Sequence, residues 1–363
     1  MRRTQSWVLG AVTMVVLAPS VSCTSEPERS GAEPSRTASP STPPSGSPSS
    51  SPSSSGSPSG SGSGSPSARP TPAPDAVSLP ALIAQRYAGG GLRVRDRLAV
   101  TDAYTSYSVT YRSNGLRISG KLDVPRGKGP FPAVVLAHGY IDPAVYDNGQ
   151  GMRREQDWLA RAGYVVLHTD YRNHAFSSKV PSAERRLRLG YTTDVINAVT
   201  ALRRTDLAPV DDKRIGLVGR SMGGGVIQNV LAVRPGLVGA AVVFASVSSD
   251  TWDNFQRWTN NDPARGELAA QILRDHGGRK ANPRFWRQVS PRSYVDRVTE
   301  PVLIHHGTAD STCPPRWSRE TLAAMRKAGV DAELFTYPGE EHAFIAQWPL
   351  SMRRTEAFLD RTL

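Results

Sequence analysis

The chain is poor in cysteine: Cys23 and Cys313 are the two it has in 363 residues. Two thiols at opposite ends of a chain do not form a disulfide framework, so a hydrophobic core must hold the fold. Beyond the first residues, no segment is long and apolar enough to span a bilayer as a helix. No stretch alternates Lys or Arg with aromatics and no nucleic-acid motif is visible, which excludes nucleic acid from the expected partners. Acidic residues are the minority charge, 32 against 44 basic ones, for a net +12. Arginine supplies most of that excess. A solvated arginine-rich surface accounts for it. Attraction to an anionic surface, such as membrane lipid or cell-wall polymer, is the other reading.

What is present begins with an address. Arg2 and Arg3 precede an apolar run, Trp7–Ala18, that is short for a membrane span and suited to a signal peptide over residues 1–22. Ser20-Val21-Ser22-Cys23 resembles a bacterial lipobox, with Ser20 where leucine is usual, and makes Cys23 the expected lipidation site. The alternative is an ordinary secretory leader and a secreted product. Residues 23–75 are almost entirely Ser, Pro, Gly, Thr and Ala. They cannot bury enough apolar surface to fold and are expected to form a disordered linker. The expected location is therefore outside the cell membrane, lipid-anchored, with the folded domain over 76–363.

That domain reads as alternating strands and helices. Tyr107–Tyr111 and Leu116–Val124 form a hairpin around Ser113-Asn114-Gly115. Strands follow at Pro132–Ala137, Tyr164–His168, Arg214–Val218, Val238–Phe244, Pro301–His305 and Ala332–Tyr337. Helices are expected at Glu155–Ala162, Tyr191–Leu202, Val226–Leu231, Ser318–Ala328 and Ser351–Leu363. The rhythm breaks over about 250–294, an aromatic-rich insertion. This order predicts an α/β fold: a mostly parallel sheet with helices on both faces and a small cap insertion.

In such sheets functional groups sit past the carboxyl ends of strands. Gly219-Arg220-Ser221-Met222-Gly223 follows one strand and opens a helix, the setting of a nucleophile elbow. Asp310 lies past the strand Pro301–His305 and His342 past Ala332–Tyr337, so the chain order is Ser, Asp, His. Ser221 is then the nucleophile, His342 its base and Asp310 the group that orients the imidazole. Glu340 and Glu341 compete with Asp310 but adjoin the base too closely to reach back to it. His305 and His306, at the end of a buried strand, read as structural; His168 ends an earlier strand, His174 and His276 lack suitable neighbours, and Cys313 reads as a small residue packed in a loop. The oxyanion donors are expected to be the N–H of Met222 and that of Tyr140, after the first parallel strand.

These segments resemble the catalytic domain of the prolyl oligopeptidase family and the neighbouring dienelactone-hydrolase-like enzymes, over about 106–363. The resemblance rests on Gly219–Gly224, His306-Gly307-Thr308-Ala309-Asp310 and Tyr337–Phe344, with Asp170-Tyr171-Arg172-Asn173 similar to the family's Asp-Tyr-Arg-Gly loop. It implies an α/β-hydrolase fold, a tyrosine at the oxyanion position matched by Tyr140, and no metal or organic cofactor. Prolyl oligopeptidases also carry a large β-propeller that filters peptides, and residues 24–105 are too short for one. The insertion is expected to substitute as a cap whose Trp252, Phe255, Trp258 and Trp286 line the substrate site or, alternatively, pack it onto the sheet. The expected activity is that of a serine peptidase on small peptides, with a carboxylesterase as the alternative and a non-catalytic surface binding protein behind both.

Overall fold

The computed structural model describes residues 74–363; the leader, Cys23 and nearly all of the expected linker lie outside the described residues. A short helix α1 (Leu79–Ala84) leads into strands β1 (Gly89–Val100), β2 (Tyr104–Ser113) and β3 (Leu116–Pro125). Strands and helices then alternate: β4 (Phe131–Ala137), α2 (Arg153–Arg161), β5 (Val165–Thr169), α3 (Gly190–Arg203), β6 (Val210–Arg220), α4 (Met222–Val233) and β7 (Ala240–Phe244). The insertion holds α5 (Thr251–Phe255), α6 (Gly266–His276) and α7 (Pro283–Gln288). After it come β8 (Val302–Gly307), α8 (Arg316–Lys327), β9 (Ala332–Tyr337) and α9 (Trp348–Thr362).

The nine strands form one sheet in the order β1-β2-β3-β5-β4-β6-β7-β8-β9. From β5 to β9 every pairing is parallel, and the β1-β2-β3 meander joins antiparallel through β3 and β5. The hairpin between β2 and β3 turns on Asn114 (φ 46°) and Gly115 (φ 84°), the pair of left-handed residues that a tight two-residue turn requires.

Strand alternation explains the two layers. On β4, Ala133, Val135 and Ala137 belong to one core cluster, which also takes in Val195 of α3, Ile227 of α4 and Met325 of α8. Val134 and Leu136 point the other way, against Leu159 of α2 and Met352 and Leu359 of α9. A strand buried on both faces reads as a continuous apolar run, which is why the parallel strands were legible.

Strand β1 was not expected from the sequence. It is the sheet edge, and past Leu92 its residues are exposed, so Arg93, Arg95 and Arg97 show no apolar alternation to read. The insertion also carries more regular structure than its irregular pattern suggested. Its helices are short, five to eleven residues, and α5 and α7 are capped by the side chains of Asp250 and Asn282.

Candidate active site

Ser221 sits between β6 and α4 in a left-handed backbone conformation, φ 56° and ψ −121°. A non-glycine residue there costs on the order of 1–3 kcal/mol and persists only where its surroundings enforce it. Two bonds do so: its N–H donates to Phe244 O at 2.9 Å, and its carbonyl accepts from Val247 N at 3.2 Å. The turn also needs small neighbours. A Cβ on Gly219 would meet Ile227 Cδ1 at 2.5 Å, and one on Gly223 would meet Ala137 O at 1.8 Å.

His342 follows β9, and its Nδ1 lies 2.8 Å from Asp310 Oδ2. The side chain of Asp310 is fully buried. Its Oδ1 accepts from the N–H groups of Thr312 (2.9 Å) and Cys313 (2.8 Å). Its Oδ2 also lies 3.2 Å from His306 Nε2. Burial pushes the Asp310 carboxyl up, but hydrogen bonds from His306, His342 and the Cys313 N–H outweigh it and hold the group well below the usual carboxylate range. It is therefore an anion beside the imidazole at neutral pH. His306 is held in turn by Ser318 Oγ at 2.6 Å and Cys313 O at 2.8 Å. The sequence reading placed His306 among structural residues and missed that it braces the acid.

The rival acids are occupied elsewhere. Glu340 accepts from the N–H groups of Ile345 (2.6 Å) and Gln347, closing the loop that carries His342. Glu341 contacts Ser311. His305 is bonded to Tyr337 and Thr355, and burial lowers its pKa to about 3. His168 is fully buried without a hydrogen-bond partner and is likewise lowered to about 3. Cys313 is buried beside Ser221, and burial first, then the Asp310 charge, pushes its thiol up to about 12, so it stays protonated.

Ser221, Met222, Tyr140 and His342 line one cavity of about 430 Å³. Among the described residues the N–H groups of Met222 and Tyr140 have no protein acceptor, as free oxyanion donors require. The backbone of Gly139 lies against the nucleophile: a Cβ there would be 3.2 Å from Ser221 Cβ. The Tyr140 phenol accepts from Arg265 Nη2 at 2.7 Å, and the guanidinium groups of Arg188 and Arg265 lie 4.6 and 4.9 Å from its ring centre. Both arginines pair with Glu184, which is held below its usual range by Arg188 and then Arg265 against the effect of burial. The stretch Glu184–Leu189 was not assigned to the site from the sequence. Its residues Leu187 and Arg188 adopt left-handed φ values, which no residue pattern there announces.

The four cap aromatics divide. Phe255 and Trp258 line the cavity. Trp252 and Trp286 do not, and their expected place in the substrate wall is corrected. The Trp286 ring packs on Trp252 and Phe255 at 4.6 and 5.0 Å, and its Nε1 donates to Gly277 O at 3.0 Å. With the indole N–H satisfied inside the insertion, the ring serves as its core.

The prolyl oligopeptidase family model matches residues 150–363. The chain is 27% identical over 234 residues to a protein of Bacillus subtilis (strain 168) named "Uncharacterized peptidase YuxL", covering 63% of this chain and 34% of that one. It is 32% identical over 114 residues to "Esterase EstD" of Thermotoga maritima, covering 30% of this chain and 26% of that one. It thus spans about a third or less of these relatives' length. Among solved structures, acetyl xylan esterase 1 from Thermoanaerobacterium sp. has the same α/β-hydrolase fold, with a TM-score of 0.56 at 17% identity, covering 79% of this chain and 95% of that one. The match over more than half of the chain, from before α2 through the elbow to His342, makes this protein a member of the prolyl oligopeptidase family.

Proposed function

We propose that this protein is a serine hydrolase that cleaves small peptides through an acyl-enzyme on Ser221. The observation that carries this reading is the His342–Asp310 contact of 2.8 Å beside a strained serine in the same cavity. His342 Nε2 takes the Ser221 proton as Oγ attacks the acyl carbon. The resulting oxyanion meets the Met222 and Tyr140 N–H groups. The imidazolium, balanced by the Asp310 anion, returns the proton to the leaving nitrogen or oxygen as the carbonyl re-forms. Water then repeats the cycle and releases the acid. Each step uses side chains and backbone alone.

One observation favours the esterase reading. The carboxylates in the cavity wall, Glu184 and Asp262, are each spanned by arginine, so neither is free to hold a substrate ammonium. A fluorophosphonate probe is expected to label the protein and to leave Ser221→Ala unlabelled; equal labelling of both would reject the reading. Turnover of aminoacyl amides against short acyl esters separates the two substrate classes. Activity confined to esters would exclude the peptidase.

The lipid anchor at Cys23 is a further part of this proposal, supported by the apolar run and the Ser/Pro/Gly tract after it. The mature protein should partition into detergent, and Cys23→Ala should move to the aqueous phase. A variant that still partitions into detergent would refute the anchor.

A further inference from the structure

Arg220 is the residue between Gly219 and the nucleophile, a position open to many side chains in an elbow of this kind. Here it carries a charge, yet it is only 8% exposed. Its guanidinium reaches two acceptors: Nη1 donates to the carbonyl of His342 at 3.2 Å, and Nη2 to Glu155 Oε1 at 2.6 Å. It lies 5.1 and 5.6 Å from the ring centres of Phe244 and Phe344. Glu155 is itself buried and accepts a second hydrogen bond, from Trp348 Nε1 at 3.0 Å.

The loop that carries the base is held by donors throughout. Arg220 takes the carbonyl of His342, and the next two carbonyls, of Ala343 and Phe344, accept from Arg154 at 2.8 and 3.1 Å. Phe344 has a left-handed φ of 54°, which such clamping enforces. Glu340 closes the far side of the same loop.

We infer that Arg220 is a positioning residue for His342: it ties the strand bearing the nucleophile to the loop bearing its base, with Glu155 fixing the direction of the guanidinium. This rests on the proposed hydrolase reading. A guanidinium suits the task because its planar fork serves two acceptors at once, which an ammonium at the end of a lysine stem does not reproduce. Catalysis depends on this registration, since a displacement of about 1 Å between base and nucleophile costs about 10²-fold in rate. Arg154 and Glu340 restrain the loop but touch neither Ser221 nor its strand, so Arg220 is the direct link among the described residues.

The test uses acylation by p-nitrophenyl butyrate, which times the reaction, and the fluorophosphonate probe, which counts competent sites. Arg220→Met combined with Glu155→Gln removes both buried charges together and avoids leaving either unpaired. At a temperature where circular dichroism shows this variant folded, the fraction of sites that the fluorophosphonate labels at completion should equal that of wild type. Its limiting acylation rate per site in a single turnover should fall about 10²-fold, with the substrate dissociation constant read from the concentration dependence of that rate within about twofold. A rate per site within threefold of wild type would overturn the inference, as would a loss confined to the labelled fraction of sites, the mark of a purely structural role. If the double variant does not fold, Arg220→Lys decides: retained stability with acylation slowed about tenfold supports the inference, and wild-type acylation rejects it. Ser221→Ala keeps the two questions apart. If wild type itself shows no Ser221-dependent burst or probe labelling, the hydrolase reading fails; a normal wild-type burst with unaffected Arg220 variants removes only the role of Arg220.

Discussion

The two walls of the catalytic cavity are held by different forces. On the sheet side, Ser221, His342 and Asp310 sit on short loops whose polar groups are fixed one by one: Asp310 by two backbone N–H groups and two imidazoles, the His342 loop by Arg220, Arg154 and Glu340. On the cap side, Phe255 and Trp258 reach the cavity from an insertion organised around the apolar cluster of Trp252, Phe255 and Trp286. Directed bonds have narrow geometry, and apolar packing tolerates repacking at similar volume. On the proposed function, the first wall carries the reaction chemistry and the second the substrate choice.

The sharpest way to break this comparison is at the nucleophile. Ser221→Ala should lower kcat by about 10⁶-fold, and Asp310→Asn by about 10⁴-fold through the wrong imidazole tautomer. Stopped-flow acylation measures both, and residual rates within tenfold of wild type would remove the sheet-side wall from the chemistry. Next in size is Trp286→Ala, which should destabilise the fold by about 3–5 kcal/mol in urea unfolding, as truncation of a buried aromatic does. A loss below about 1 kcal/mol would mean that Trp286 does not form the insertion's core. Trp258→Ala is milder. It should raise KM several-fold and leave kcat within about twofold, since it lines the cavity and none of Ser221, Asp310 and His342 is bonded to it. A fall in kcat at unchanged KM would place it on the chemical side instead.

The last effect concerns pH. Burial lowers His168 and His305 to about 3 in the folded chain, against about 6.5 when unfolded. Their contribution to stability is fully present above about pH 6.5 and is lost as pH falls toward 3, because the unfolded state binds the protons first. Urea unfolding at pH 7 and pH 4.5 should show this loss. His168→Leu should lessen it, since neither ring nitrogen of His168 has a partner to forfeit. An unchanged pH slope in that variant would show that His168 titrates normally.

Much of this was legible from residues alone, for reasons that differ by region. Strands buried on both faces, such as Ala133–Ala137, announce themselves as apolar runs. The elbow was legible because close approach demands glycine at 219 and 223. Asp310 and His342 were placed by their position after strands β8 and β9. The insertion was harder to read: Trp252 and Trp286 carry no mark that separates an aromatic facing a cavity from one facing its own helices. Arg220 was invisible as a brace, because its acceptors lie 65 and 122 residues away in sequence. The 184–189 segment enters the cavity through left-handed backbone turns that composition does not signal.

Among the described residues strand β1 is paired on one side only, so its outer row of amide and carbonyl groups forms a ready template for another strand. Arg93, Arg95 and Arg97 recur along that border. A second copy laid against it would bring three arginines and a single acid, Asp96, up to their like, a net repulsion. The chain's positive excess thus has one concrete use, as a guard on its open border against self-association. Exchanging the three arginines for valine would turn that border into an aggregation site while leaving the cavity untouched, since none of the three lines it.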